Sequence, residues 1–189
     1  MKYNYFDALE ALSQCALETV RASCSVDPVI SSKLPSEKRT NFNSMLLELE
    51  NSLFEEFLPP LKRESIAEYA HCLSRLTDAA CEHMTAKLSI RSSTAKQSEE
   101  EKICIELAKR IHEGTAMLKA LKKPGETPDI KEYRELSCRA LDAHNAESRA
   151  AKRGALCGGR EEQILSAGKL RSELSLCFDG LLELMLNNI

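Results

Sequence analysis

The chain has 189 residues, a formal net charge of −3 and 29% charged residues, which is typical of an acidic, soluble globular protein. Nucleic-acid binding is disfavoured, because the chain lacks a basic excess, has only 5% aromatic residues and contains no Trp. We find no apolar run of the length that crosses a bilayer, and the opening stretch MKYNYFDALE lacks the apolar core of a signal peptide. We therefore expect a cytoplasmic protein that reaches a membrane only through a partner.

The eight cysteines fall mostly within helical patterns, and no two of them form a Cys-x-x-Cys pair. That spacing argues against a zinc ribbon and against a thioredoxin-like redox site. We expect reduced cysteines that pack as small apolar residues.

Apolar residues at three- and four-residue spacing predict three helices in the first half of the chain. The first covers residues 3–24, and residues 25–35 read as a loop. Ser36 is the expected N-cap of a second helix that runs to about Phe57. Pro59 and Pro60 break this helix, and the chain restarts at residues 62–64. The third helix has one apolar stripe, formed by Ile66, Ala70, Leu73, Leu76, Ala80, Met84 and Leu88.

The second half repeats this organisation after a Ser- and Thr-rich stretch over residues 90–97. Ser98 and Glu101 predict a capping box that opens a fourth helix, and Pro124-Gly125 ends it. Asp129 and Glu132 predict a second capping box and a fifth helix to about residue 153, with small inward residues. A final helix is expected over residues 161–186. The prediction is an all-α fold with six helices and no strand.

Residues 73–84 and 174–185 share Leu, Ser, Asp, Glu and Met at equivalent positions. Internal similarity of this kind suggests one supersecondary unit used twice. We therefore predict a first three-helix unit over residues 1–92, a linker over 93–97 and a second three-helix unit over 98–189. The two units are able to pack as a single domain.

The shared acids are the candidate metal ligands. Asp78 and Glu82 on the third helix match Asp179 and Glu183 on the sixth, and carboxylates four residues apart lie on one helix face. Divalent magnesium or manganese and ferric iron prefer such oxygen ligands. The alternative is that these acids form a solvated helix face.

The four histidines have unrelated spacings and none forms a helical His-x-x-x-His pair, so we expect them on the surface. His71 and Cys72 are adjacent, but neighbours on a helix point about 100° apart and do not make a catalytic pair. The sequence contains no nucleophile elbow and no phosphate-cradling glycine loop. These observations favour a protein that is not an enzyme.

The turn before the third helix carries a family resemblance. The pattern Phe57-x-x-Pro60-x-x-Arg63-Glu64-x-Ile66, followed by a long helix, resembles the PhoU-like phosphate transport regulator family. The length, the six helices and the duplicated unit extend this resemblance over nearly the whole chain. It implies a pair of three-helix bundles that control phosphate uptake beside inorganic phosphate transporters of the Pit type.

The same resemblance implies acidic motifs of the form (Glu/Asp)-x-x-x-Asp that face a metal cluster. Here Ser74 precedes Asp78 and Ser175 precedes Asp179, so one acid of each pair is replaced by a hydroxyl. A multivalent cation needs several anionic oxygens. A diverged member is therefore expected, in which the cluster is weakened or lost and any divalent or ferric ion would be held by Asp78, Glu82, Asp179 and Glu183 with Ser74 and Ser175.

Three functions remain open from the sequence. The first is a non-enzymatic regulator or accessory protein of phosphate transport, which acts by contact with a transporter or another cytosolic protein. The second is a metal-binding helical bundle that uses the Asp78 and Asp179 carboxylates. The third is a structural bundle whose main property is homo-oligomerisation.

Overall fold

A computed structural model describes residues 3–25, 32–55, 61–89, 97–120, 130–152 and 160–186. These residues form six α-helices and contain no strand, which confirms the all-α prediction for this part of the chain. The helices are α1 (Tyr5–Cys24), α2 (Leu34–Glu55), α3 (Arg63–Ser89), α4 (Glu99–Met117), α5 (Ile130–Lys152) and α6 (Arg160–Leu186), with a short 3-10 turn (Leu118–Ala120) after α4. Pro59, Pro60, Pro124, Gly125 and Asp129 lie outside the described residues.

Two helix starts show how local chemistry fixes the boundaries. The Ser98 hydroxyl accepts from the Glu101 amide at 3.1 Å, and the Glu101 carboxylate accepts from the Ser98 amide at 2.9 Å, which confirms the predicted capping box. The second helix is present as predicted, but its predicted N-cap at Ser36 was wrong, because α2 begins at Leu34 and includes Pro35 and Ser36. Proline is tolerated in a first turn, where its missing N–H would have no helical partner anyway.

Among the described helices, α3 makes the most extensive contacts, and it packs against α1, α2 and α6. The helices on each side of residues 90–97 contact one another, and the two sets meet along α3 with α6 and α1 with α4. The predicted apolar stripe of α3 is buried from Ile66 to Met84, and Leu88 is partly buried. Duplication of a three-helix unit stays a prediction.

Specific contacts fix how the helices sit on each other. The buried Tyr69 hydroxyl of α3 lies 2.5 Å from the Thr115 hydroxyl of α4. The Tyr133 ring of α5 stacks on Phe178 of α6, with ring centroids 3.6 Å apart. The Tyr5 hydroxyl of α1 donates to the Ser52 carbonyl of α2 at 2.8 Å. Each contact ties a different pair of helices, so the bundle has a defined register rather than only an apolar interior.

Candidate functional site

The predicted acids of α3 are held by cations from other helices. Arg39 Nε of α2 lies 2.6 Å from Asp78 Oδ1, and Lys169 Nζ of α6 lies 2.6 Å from Glu82 Oε2. About half of each side chain is exposed. A cation at this distance repels a second cation, so the donor set at Asp78 and Glu82 does not fit a cluster of multivalent metal ions.

The predicted acids of α6 are also exposed. Asp179 faces solvent, and Glu183 lines an open groove of about 510 Å³ between α3 and α6. Ser74 is half-buried, and the Ser175 hydroxyl lies 3.2 Å from that of Ser137 on α5. Over the ranges given above, no three His, Cys, Asp or Glu side chains are grouped as a metal ion requires. The predicted ligands are therefore spread over the molecule. Asp78 and Glu82 lie in separate ion pairs, Glu183 on a groove wall and Ser175 at a helix contact, whereas Asp179 faces solvent and Ser74 is half-buried.

The polar side chains that the fold does gather are buried at the start of α4. Glu101 is 2% exposed and His83 is fully buried. Glu101 Oε1 lies 3.0 Å from His83 Nε2 and 2.8 Å from Lys87 Nζ, so the capping glutamate also ties α4 to α3. Burial acts to raise the pKa of Glu101, but the hydrogen bonds from His83 and Lys87 outweigh it, and this pKa lies below its ordinary value of 4.5.

His83 extends this network to α6. Its Nδ1 lies 2.9 Å from the Ser166 oxygen, and the Ser166 hydroxyl donates to the Gln163 carbonyl at 2.9 Å. Because an ionised carboxylate only accepts hydrogen bonds, the Glu101 contact places a proton on His83 Nε2. The prediction of surface histidines was wrong for His83. In the sequence, His83 follows Ala80 by three residues and Leu76 by seven, and both of these residues belong to the apolar stripe. This spacing was the signal that could have indicated a buried histidine.

Adjacent Glu100 makes a second buried pair on another side of α4. Its side chain is fully buried, with Oε2 at 3.1 Å from His144 Nδ1 of α5 and Oε1 at 3.7 Å from Arg171 Nε of α6. The His144 ring lies against Gly168, where a Cβ atom would come within 2.6 Å of His144 Cε1. Two consecutive glutamates thus connect α4 to α3, α5 and α6.

The order Ser166, His83, Glu101 has the composition of a hydrolase triad, but its surroundings favour a structural role. Ser166 lies inside α6, where its backbone N–H belongs to the helix ladder and cannot stabilise an oxyanion. His83 is fully buried. The network holds three helices together, since His83 lies on α3, Glu101 on α4 and Ser166 on α6.

The pair His71 and Cys72 is not arranged for catalysis either. His71 Nε2 lies 3.5 Å from Glu50 Oε1 of α2, and the Cys72 sulfur accepts from Arg75 Nη2 at 3.3 Å. Burial raises the pKa of the Cys72 thiol despite the nearby Arg75 guanidinium. A thiol that stays protonated at neutral pH is a weak nucleophile.

The outer face of α2 presents a continuous uncharged line. α2 packs against α1 and α3 with its inner face, where Phe42, Leu49 and Leu53 are buried. Its outward positions, spaced three or four residues apart, are all exposed; this outer stripe is formed by Ser36, Thr40, Asn43, Leu47, Asn51 and Phe54. Leu47 is 58% exposed and Phe54 is 84% exposed.

Charged side chains border the outer stripe on both sides. Glu37, Glu48 and Glu55, spaced eleven and seven residues apart, are exposed along the edge nearest α1, and we call them the acidic edge. The edge nearest α3 carries Glu50, beside His71, and Arg39, whose charge is paired with Asp78. The stripe therefore combines two large apolar side chains with a predominantly acidic border.

The fold and these surfaces define an all-α helical bundle with a buried ionic network and an exposed outer stripe. Among its described residues, no helix has the length and hydropathy needed to cross a membrane. In comparisons with known proteins, no family model and no curated protein matches the chain.

Proposed function

We propose that the protein is a non-enzymatic regulator or accessory protein of inorganic phosphate transport, which acts by binding a protein partner through the outer stripe of α2. The observation that carries the proposal is the exposure of Leu47 and Phe54 on one uncharged line. A single exposed leucine is ordinary. Two large apolar side chains seven residues apart on one helix face form the pattern by which helices recognise one another.

The location of the polar groups supports a binding protein over an enzyme. Glu100, Glu101 and His83, which have the chemistry for acid–base catalysis, are buried in contacts between helices. The exposed acids Asp78 and Glu82 are paired with Arg39 and Lys169. The surface is thus best suited to docking, and the resemblance at Pro60 to Ile66 directs the choice of partner to a phosphate transporter.

The test is the affinity of the purified protein for a Pit-type phosphate transporter held in lipid nanodiscs. The double variant Leu47→Asp/Phe54→Asp should weaken binding by about a hundredfold or more, since charges replace both of its large apolar anchors. Leu165→Asp is the matched control, because Leu165 is 72% exposed on α6. Equal losses in both variants, or binding that is unaffected by either, would contradict the proposal.

A further inference from the structure

The border of the outer stripe determines the kind of partner that fits it. We propose that the outer stripe of α2 binds a basic amphipathic helix, supplied by the cytosolic side of a membrane protein, with apolar side chains against Leu47 and Phe54 and Lys or Arg beside the acidic edge. This inference rests on the proposed function and names the chemistry of its partner.

Charge favours a basic partner. Glu37, Glu48 and Glu55 line one edge of the stripe, and a docked helix brings its flanking side chains next to them. Lys or Arg at those flanks would form rim ion pairs, which guide encounter and fix orientation more than they add affinity. Membrane proteins concentrate Lys and Arg in their cytoplasmic loops and near the ends of their spanning helices. Such segments have the composition that the acidic edge requires.

Length favours a helix rather than a short peptide. The stripe runs from Ser36 to Phe54, which corresponds to about 27 Å of helix at 1.5 Å per residue. A partner helix of about 18 residues covers this distance. Leu47 and Phe54 are two turns apart, so apolar residues at seven-residue spacing on the partner would contact both.

A second copy of this chain fits the stripe poorly. In an antiparallel pair of α2 helices the two acidic edges would face each other, and like charges at such positions are repulsive. In a parallel pair each acidic edge would face Glu50 and Arg39, and the Arg39 charge is already engaged by Asp78. The acidic border also disfavours the surface of an anionic bilayer, which attracts basic segments.

The test uses a fluorescent helical peptide of about 18 residues, with Leu at seven-residue spacing and Lys on both flanks, titrated with the full chain. Neutralising the acidic edge with Glu37→Gln/Glu48→Gln/Glu55→Gln should weaken binding about tenfold, as expected for three exposed charge pairs. The control variant Glu161→Gln/Glu162→Gln/Glu183→Gln changes net charge equally at exposed positions of α6. A second peptide carries Glu in place of Lys.

The expected result is binding of the Lys peptide that weakens with added salt, is lost in Leu47→Asp/Phe54→Asp and is unaffected by the control variant. Equal effects of the two triple variants, or equal binding of the Glu peptide, overturn the charge argument. If neither peptide binds while the transporter still binds through Leu47 and Phe54, the basic-helix inference is wrong and the proposed function stands. If sedimentation instead shows a dimer that Leu47→Asp/Phe54→Asp dissociates, the occupant is a second copy and the inference is overturned.

Discussion

Neutralising Glu101 should destabilise the bundle far more than neutralising a neighbouring glutamate in the same helix turn. In Glu101→Gln the carboxylate that accepts from Lys87, His83 and the Ser98 amide becomes an amide, and the Lys87 ammonium loses its buried counter-charge. Removing one partner from a buried ion pair costs about 3–5 kcal/mol. Because the glutamine oxygen still accepts one hydrogen bond, we expect the lower end, about 3 kcal/mol.

The matched control is Glu99→Gln, two residues earlier in the first turn of α4. The Glu99 side chain is 58% exposed, with Lys102 at 3.3 Å and Arg139 at 3.9 Å. Exposed pairs and helix-dipole contacts of this kind contribute about 1 kcal/mol or less. Urea unfolding followed by circular dichroism gives both values, and equal losses in the two variants would refute the structural role of the Glu101 network.

The pH dependence provides a second readout on the same variant. The pKa of Glu101 is lower in the folded protein than its ordinary value of 4.5. Its ionised form therefore contributes stability that is fully present above pH 4.5 and is lost as the pH falls through the lower folded pKa. The difference in unfolding free energy between the wild type and Glu101→Gln should narrow over that acidic range, and a constant difference would contradict the assignment.

Gly168→Ala should lower the free energy of unfolding by about 1–3 kcal/mol although alanine favours helices, because its Cβ would lie 2.6 Å from His144 Cε1. In the double variant with His144→Ala, part of this strain should be relieved, so the two losses of stability should not add. Additive losses would count against the contact. Tyr69→Phe should cost about 1 kcal/mol, since Thr115 loses its hydroxyl partner, whereas an unchanged urea midpoint would argue against that hydrogen bond. Exposed Cys138 should react quickly with a thiol reagent, and Cys138→Ser should remove one fast-reacting thiol. The Cys24 thiol should react only when the protein unfolds, because burial raises its pKa to about 12. Elemental analysis should find no stoichiometric metal in the wild type that is absent from Asp78→Asn/Asp179→Asn, because Arg39 already neutralises Asp78. A metal that is bound by the wild type and lost in the variant would support the metal-binding alternative.

Most of the helix pattern was predictable, because apolar spacing is a local property of the sequence. The apolar residues between Ile66 and Met84 fall on one stripe of α3 because of their spacing alone, without reference to the helices that pack against them. The Ser98 capping box is likewise complete within four residues. The start of α2 was missed because Pro35 reads as a helix breaker, although a first turn accepts it. The apolar stripe and both helix starts are thus determined by residues close together in the sequence.

The buried network was not predicted because its partners are distant in sequence. His83 and Glu101 are 18 positions apart, and His144 and Glu100 are 44 apart. Spacing within one helix cannot reveal such pairs. The same limit applies to Asp78 and Glu82, since the pairing with Arg39 and Lys169 depends on how α2 and α6 pack on α3.

A regulatory role of the outer stripe is tested most directly by phosphate uptake in cells that express a Pit-type transporter with and without this protein. Wild-type protein and Leu165→Asp should change the uptake rate equally. Leu47→Asp/Phe54→Asp should return uptake to the rate in cells that lack the protein, because the outer stripe of α2 can no longer bind. If the double variant changes the uptake rate as much as the wild type does, a regulatory role for this surface is contradicted.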